Sequence, residues 1–267
     1  RSLWLTLALL IPFLAQAQEP GDDLLLEDST LDVILRKERG GGLLLHTLGW
    51  GGQYRQGVAR TALRKQFIEF DLVSMKSSKE IKTVNPYFSN SRSYVYGKMN
   101  SVLVARGGYS FHNRLSRKPR DGGLEVRYIL GAGASLAIAK PIYLNIIRFT
   151  SSIYEYNITT ERYDPEEHQV ENIYGRASYF KGIEKSSFHP GAYARFGFTF
   201  DYGQEHTKVR SLEVGTLLDI YPFFPVEIMA FNPKHHYFVN FYLGINIGQR
   251  YNRLPSKREK AAVSDQP

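Results

Sequence analysis

Residues 124–138 read LEVRYILGAGASLAI, and their apolar side chains recur at every second position. Val126, Tyr128, Leu130, Ala132, Ala134, Leu136 and Ile138 share one face, opposite Glu125, Arg127, Ile129, Gly131, Gly133 and Ser135. A period of two marks a strand, because an amphipathic helix would repeat at three and four. The run exceeds the roughly 5–6 residues of an ordinary strand. It suits a tilted strand crossing a bilayer, which takes about 9–11 residues plus its rims.

Three later segments repeat the pattern. Ala192, Ala194, Phe196, Phe198 and Phe200 oppose Tyr193, Arg195, Gly197, Thr199 and Asp201; Leu212, Val214, Thr216, Leu218 and Ile220 oppose Ser211, Glu213, Gly215 and Asp219. Val239, Phe241, Leu243, Ile245 and Ile247 oppose Asn240, Tyr242, Gly244, Asn246, Gly248 and Arg250. Upstream, Ile68, Phe70 and Leu72 oppose Lys65, Phe67, Glu69 and Asp71, and Leu103, Ala105 and Tyr109 oppose Val102, Val104 and Arg106. A further strand is expected around Leu44, Leu48, Trp50 and Tyr54, and a weak first one over residues 31–37. These make eight, the smallest even closure of a membrane barrel.

A soluble ligand-binding barrel would turn its oily face inward, and periodicity does not separate the two cases. Glycine on the polar faces, long strands and aromatic residues near strand ends favour the membrane barrel. The expected girdles are Tyr94, Tyr96, Tyr143, Tyr221 and Tyr237 at one rim, and Trp50, Tyr54, Tyr109, Tyr128, Tyr202 and Tyr251 at the other. Connections alternate between short ones (56–63, 112–123, 203–208) and long ones (76–93, 140–189, 222–236), which places both termini of the barrel in the periplasm.

The first 17 residues, RSLWLTLALLIPFLAQA, read as a secretory signal cleaved after Ala17, since the apolar run ends in a small-x-small site and is shorter than a membrane span. Residues 18–30 then form a periplasmic segment, residues 31–251 the barrel, and residues 252–267 a disordered basic tail. The chain of 267 residues has no cysteine, which excludes a disulfide scaffold, a thiolate metal site and a lipoprotein anchor. A net charge of +8 is too dispersed to indicate nucleic acid. Gly131-Ala132-Gly133 lies inside a strand with no helix after it, so it is no dinucleotide loop, and no cofactor is expected.

The stretches GLLLHTLGWGGQYRQG, RKQFIEFDLVSMKSSKEIK, NPYF, SYVYGKMNS, GGLEVRYILGAGASLAIAKPIYL, NIYGRASYFKG and PVEIMAFN together resemble a largely uncharacterised outer-membrane β-barrel family of the Bacteroidota. The resemblance runs from the first strand pair to the last strand. It implies an outer-membrane barrel without a transferable catalytic motif. Related barrel families there serve as accessory parts of secretion or barrel-assembly machines, which points the same way. The chain departs from many such barrels in ending not on an aromatic residue but on a tail after Tyr251.

A barrel of eight strands is filled by its own side chains, so Glu69, Asp71, Arg106, Glu125, Arg127, Arg195, Asp201, Glu213, Asp219 and Arg250 are expected to pair inside it. A proton or ion path is the alternative use of these charges. Seven histidines, His46, His112, His168, His189, His206, His235 and His236, are the material for a lipid-modifying rim enzyme. By parity with Leu44 and Leu48, His46 would face lipid, and His235 with His236 would sit at the same rim. Asp164, Glu166, Glu167, His168 and Glu171 form either a cation site or the acidic start of a short helix after Pro165.

The long segments 140–189 and 222–231 are the expected partner surface, through Tyr154, Tyr156, Tyr163, Tyr174, Tyr179, Phe180, Phe223, Phe224, Ile228 and Met229. The same residues could instead pack on one another as a cap. The sequence therefore reads as an all-β, eight-stranded antiparallel transmembrane barrel of the outer membrane. Its expected role is non-catalytic, an accessory or scaffold subunit contacting lipid and a membrane-protein complex, with a rim enzyme as the alternative.

Overall fold

The computed structural model describes residues 37–61, 63–88, 90–116, 123–149, 156–203, 207–232 and 235–251. The expected signal sequence, the 18–30 segment, most of the expected strand at 31–37, the basic tail, Tyr154 and His206 lie outside the described residues. In chain order the strands are β1 (Lys37–His46), β2 (Gly49–Ala59), β3 (Arg64–Met75), β4 (Lys82–Thr83), β5 (Tyr94–Val95), β6 (Asn100–Ser116) and β7 (Glu125–Pro141). They are followed by β8 (Tyr143–Phe149), β9 (Tyr156–Arg162), β10 (Ile173–Arg176), β11 (Ser187–Asp201), β12 (Lys208–Ile220) and β13 (Tyr237–Tyr251).

Eight of these strands close an antiparallel barrel in the order β1-β13-β12-β11-β7-β6-β3-β2. Closure leaves no unpaired sheet edge in the wall, the condition a strand structure must meet in lipid. The faces follow the period of two. Leu43, Trp50, Ile68, Phe70, Tyr109, Leu130, Phe196, Phe241 and Ile247 are exposed on the outside, while Glu69, Arg106, Arg195, Glu213 and Asp219 are buried within. An apolar exterior around a charged interior is the inverse of a soluble barrel, and it is the arrangement of an outer-membrane barrel. No helix among the described residues is long and apolar enough to cross a membrane.

The eight strands are not quite those expected. The segment around Leu44–Tyr54 is not one strand but the β1–β2 hairpin, turning at Thr47 and Leu48. A β carbon on Gly49 would stand 2.1 Å from the Ser74 carbonyl oxygen, so glycine lets β2 leave the turn hard against β3. The turn reverses the parity that the sequence suggested. Leu44 and His46 face inward and Leu43 and Leu45 outward, so His46 does not face lipid. Trp50 stands beside this hairpin, at the opposite rim from the one expected, and Tyr94 and Tyr221 are buried rather than part of a girdle.

Inside, glycine makes room for tyrosine. Gly108 and Gly133 are register partners on β6 and β7, and a β carbon on Gly108 would lie 2.8 Å from the Tyr193 hydroxyl. Gly197 and Gly215 pair likewise on β11 and β12, where added β carbons would stand 2.7 and 2.9 Å from Tyr242. Each bulky inward ring thus lies over a pair of residues without side chains, which fills a narrow interior at close packing.

Three long connections rise from one end of the barrel: 76–99, which holds the β4–β5 pair; 142–186, which holds β8, β9 and β10; and 221–236. The segment 140–189 is therefore not structureless. Its strands form a sheet in the order β10-β8-β9, packed through Leu144, Ile146, Tyr163 and Ile173 on Tyr94. The opposite ends of the strands are where β2 leads to β3, β6 to β7 and β11 to β12.

Candidate functional site

The interior charges fall into two tiers. In the central tier Arg106 on β6 binds Asp219 on β12 through Nε and Nη2, both at 2.8 Å. Arg195 on β11 donates to Glu69 at 2.7 Å and to Asp71, and lies 3.9 Å from Glu213. Arg55 on β2 reaches Glu213 at 3.1 Å, and Tyr242 donates its hydroxyl to the same carboxylate at 2.8 Å. Ser110 donates to Glu69 at 2.7 Å, with His112 Nε2 at 3.1 Å from the serine oxygen. Toward the short-turn end, Arg250 binds Asp201 at 2.5 Å, Lys65 binds Glu38 at 2.7 Å, and Arg127 pairs with Glu125.

All ten charges expected inside are placed there, joined by Glu38, Arg55, Lys65 and His112, which the sequence reading did not assign to the lattice. The central tier sets three guanidiniums, of Arg55, Arg106 and Arg195, against four carboxylates, of Glu69, Asp71, Glu213 and Asp219. His112 lies beside this tier, with Nε2 3.4 Å from Glu69. Each guanidinium of the tier is anchored on a carboxylate of another strand, so the tier braces the barrel across its interior.

Above the lattice the barrel mouth is plugged. Val226, Ile228 and Met229 turn inward from the 221–236 connection and join Leu44, Val73, Met75, Val102, Val104, Tyr193, Leu217 and Phe238 in one apolar cluster. The plug is pinned by its backbone: the amides of Met99 and Asn100 donate to the Ile228 carbonyl at 3.0 and 3.3 Å, and the Ala230 amide donates to Gly97 O at 2.7 Å. Phe231, at the end of the plug, holds a left-handed backbone at φ 60° with its ring 81% exposed.

The expected partner residues therefore divide. Ile228 and Met229 belong to the plug, and Tyr163 is 2% exposed in the core of the small sheet, so these three are unavailable to a partner. Tyr174 is half-buried against Phe88, with ring centroids 5.1 Å apart. Tyr156, Tyr179, Phe180, Phe223 and Phe224 are exposed, Phe180 at 73% and Phe223 at 77%. Two anchors bring these aromatics onto neighbouring strands. The Lys140 ammonium on β7 donates to Tyr179 O and sits 4.1 Å over its ring, while His189 on the adjacent β11 donates from Nδ1 to Phe224 O at 3.1 Å.

Comparisons with known proteins add little to this geometry. No family model and no curated protein matches the sequence. Among solved structures the chain is similar to the crystal structure of Neisserial surface protein A, with 10% identity over 81% of this chain and 97% of that one and a TM-score of 0.37. The barrel is established by this chain's own closed register.

Of the histidines, His46 is buried at the mouth and accepts a hydrogen bond from the Leu48 amide at 3.3 Å. His236 donates to Tyr221 O at 3.2 Å, and the His235 ring lies 5.6 Å from that of Phe238. The acidic segment forms turns and a short 3-10 turn, Val170–Asn172, rather than an α-helix. His168 there is buried and accepts from the Asp164 amide at 2.9 Å, with Nε2 3.3 Å from Glu161, which also binds Arg148 at 2.6 Å. One serine–histidine contact went unnoticed in the sequence. Ser187 Oγ lies 3.0 Å from His189 Nε2, and the Phe224 carbonyl orients the ring from behind. Two polar residues at i and i+2 of one strand share a face, and that spacing is the signal that could have found them.

Proposed function

We propose that the protein is a non-catalytic outer-membrane scaffold that docks a partner complex through its long-connection end, which faces the cell exterior. The observation that carries this reading is the double closure of the barrel, an ion-paired lattice below and the Val226–Ile228–Met229 plug above. A barrel with nothing to conduct has its usable chemistry outside. There Tyr179, Phe180, Phe223 and Phe224 are exposed together above adjacent strands, and aromatic residues in such a cluster anchor protein interfaces. Phe231 supports the same reading, since a bulky residue in a left-handed conformation is unfavourable and its exposed ring returns nothing to the fold.

The test is affinity purification of the tagged barrel from outer membranes in mild detergent, with mass spectrometry of what stays bound. A stoichiometric membrane-protein partner that is lost from a variant carrying Phe180→Ser, Phe223→Ser and Phe224→Ser supports the scaffold. A partner that stays bound to that variant counts against it.

A second reading, a lipid-modifying rim enzyme, draws on one observation, the Ser187–His189 pair with its oriented imidazole. Ser187→Ala separates the two. It leaves docking intact and would abolish any acyl hydrolysis or transfer at the rim.

A further inference from the structure

Every acidic residue on the eight barrel strands, Glu38, Glu69, Asp71, Glu125, Asp201, Glu213 and Asp219, faces the interior. Cations are not so confined. Near the short-turn end Arg39 on β1 and Lys208 and Arg210 on β12 face outward, on the wall that meets lipid. They come together because β13 lies between their strands. Arg39 and Lys208 are both register partners of Gln249, while Arg210 and Gly41 are both partners of Ile247.

The wall is hollow at this point. Gly41 is the outward position between Ile247 and Tyr54, and its missing side chain opens a groove of about 460 Å³ with Tyr54 on one side and the three cations around it. Arg39 is held in place by stacking over Tyr251, its guanidinium carbon 5.4 Å from the ring centroid. One step further into the wall, the register partners Leu212, Ile245 and Leu43 present an unbroken apolar surface. The groove therefore lies where the oily band of the barrel gives way to its polar end. At that depth in a bilayer the available anions are lipid phosphates, and long cationic side chains reach them by extending along the wall.

We propose that this groove is a binding site for the headgroup of an anionic phospholipid in the leaflet at the short-turn end. Arg39 and Arg210 take the phosphate, the glycerol and headgroup fill the space over Gly41 beside Tyr54, and the acyl chains run along Leu212, Ile245 and Leu43. Charge complementarity selects this occupant, since no acidic side chain accompanies Arg39 and Arg210 on the outer face of this end among the described residues.

The experiment is native mass spectrometry of the full-length barrel released from detergent, with equal amounts of phosphatidylglycerol and phosphatidylcholine added. Wild type retains phosphatidylglycerol preferentially, and each of Arg39→Gln and Arg210→Gln lowers that preference about fivefold. Gly41→Leu keeps all three cations but fills the groove; its β carbon meets nothing nearer than Gln53 O at 3.4 Å, so the barrel tolerates it and retention falls. Arg64→Gln, on the outer face of β3, leaves the preference unchanged and serves as the control. Folding of each variant is read from its heat-modifiable electrophoretic mobility. Equal retention of the two lipids by wild type, or a preference that survives the double variant Arg39→Gln, Arg210→Gln, overturns the proposal. Displacement of phosphatidylglycerol by equimolar inorganic phosphate would assign the cations to a free anion and overturn it as well.

Discussion

Arg106 and Asp219 face each other across the barrel interior, joined by two parallel hydrogen bonds of 2.8 Å, and both side chains are excluded from solvent. Removing one partner strands the other as a buried charge. Asp219→Asn should cost about 3–5 kcal/mol, whereas replacing Arg106 by Met and Asp219 by Leu together should come close to neutral. Asp71→Asn should be much milder, about 1 kcal/mol or less, because the central tier holds one more carboxylate than guanidinium and an asparagine oxygen still accepts from Arg195. Urea unfolding in lipid vesicles, followed by the fluorescence of Trp50, measures all three; an Asp71→Asn loss as large as that of Asp219→Asn would refute the charge count.

Tyr242 reports on the glycines beneath it. Gly215→Val drives a β carbon against the Phe196 carbonyl oxygen, 2.3 Å away, and against the Tyr242 ring at 2.9 Å, and so displaces the hydroxyl that Glu213 accepts from. The expected loss is about 1–3 kcal/mol from overpacking, partly restored by adding Tyr242→Ala. Additive losses in the double variant would show that the ring and the glycine pair are not coupled.

The small external sheet should be acid-sensitive through one carboxylate. Glu161 on β9 is held down from its ordinary value of 4.5 to about 2, first by the hydrogen bonds from Arg148 and then by that from Thr159. A depressed acid stabilises the fold above its ordinary value and loses that contribution as pH falls through the folded one. The β8–β9 hairpin should therefore become more open to pepsin between about pH 4.5 and about pH 2, and Glu161→Gln should remove the pH dependence across that window. A variant that keeps the wild-type profile would assign the acid response to another group.

Phe231 should be improvable as a structural residue. Glycine accepts its left-handed backbone without steric cost, so Phe231→Gly should raise stability by about 1 kcal/mol. The same substitution should weaken retention of a docked partner. A destabilised variant would mean that the ring packs on the plug after all.

Much of this architecture can be read from a period of two. The faces of β7, β11, β12 and β13 are visible because apolar residues alternate with glycine and charge along their whole length. β1 was hidden because Gly40, Gly41 and Gly42 look like a loop, and the Thr47–Leu48 turn carries none of the usual turn residues. Which charges lie inside follows from parity, but that Arg106 meets Asp219, more than a hundred residues away, depends on a strand order that periodicity does not contain. The sequence leaves the plug open between a partner surface and a cap for a related reason: an apolar run in a connecting segment looks the same whether it turns out to a partner or back into the mouth. Only the backbone bonds from Met99 and Asn100 to Ile228 decide it.

The two-residue Thr47–Leu48 turn gives the molecule a front and a back. Three of the four connections at its end are long and folded, and the fourth, between β1 and β2, stops at the rim. A macromolecule moving within the membrane plane meets a raised wall along most of the circumference and a low sill at β1 and β2. The connections on either side are tied together beside it, the Lys79 ammonium donating to Asn232 Oδ1 at 2.9 Å, so orientation about the barrel axis, and not only depth in the bilayer, decides which face of the molecule an encounter meets.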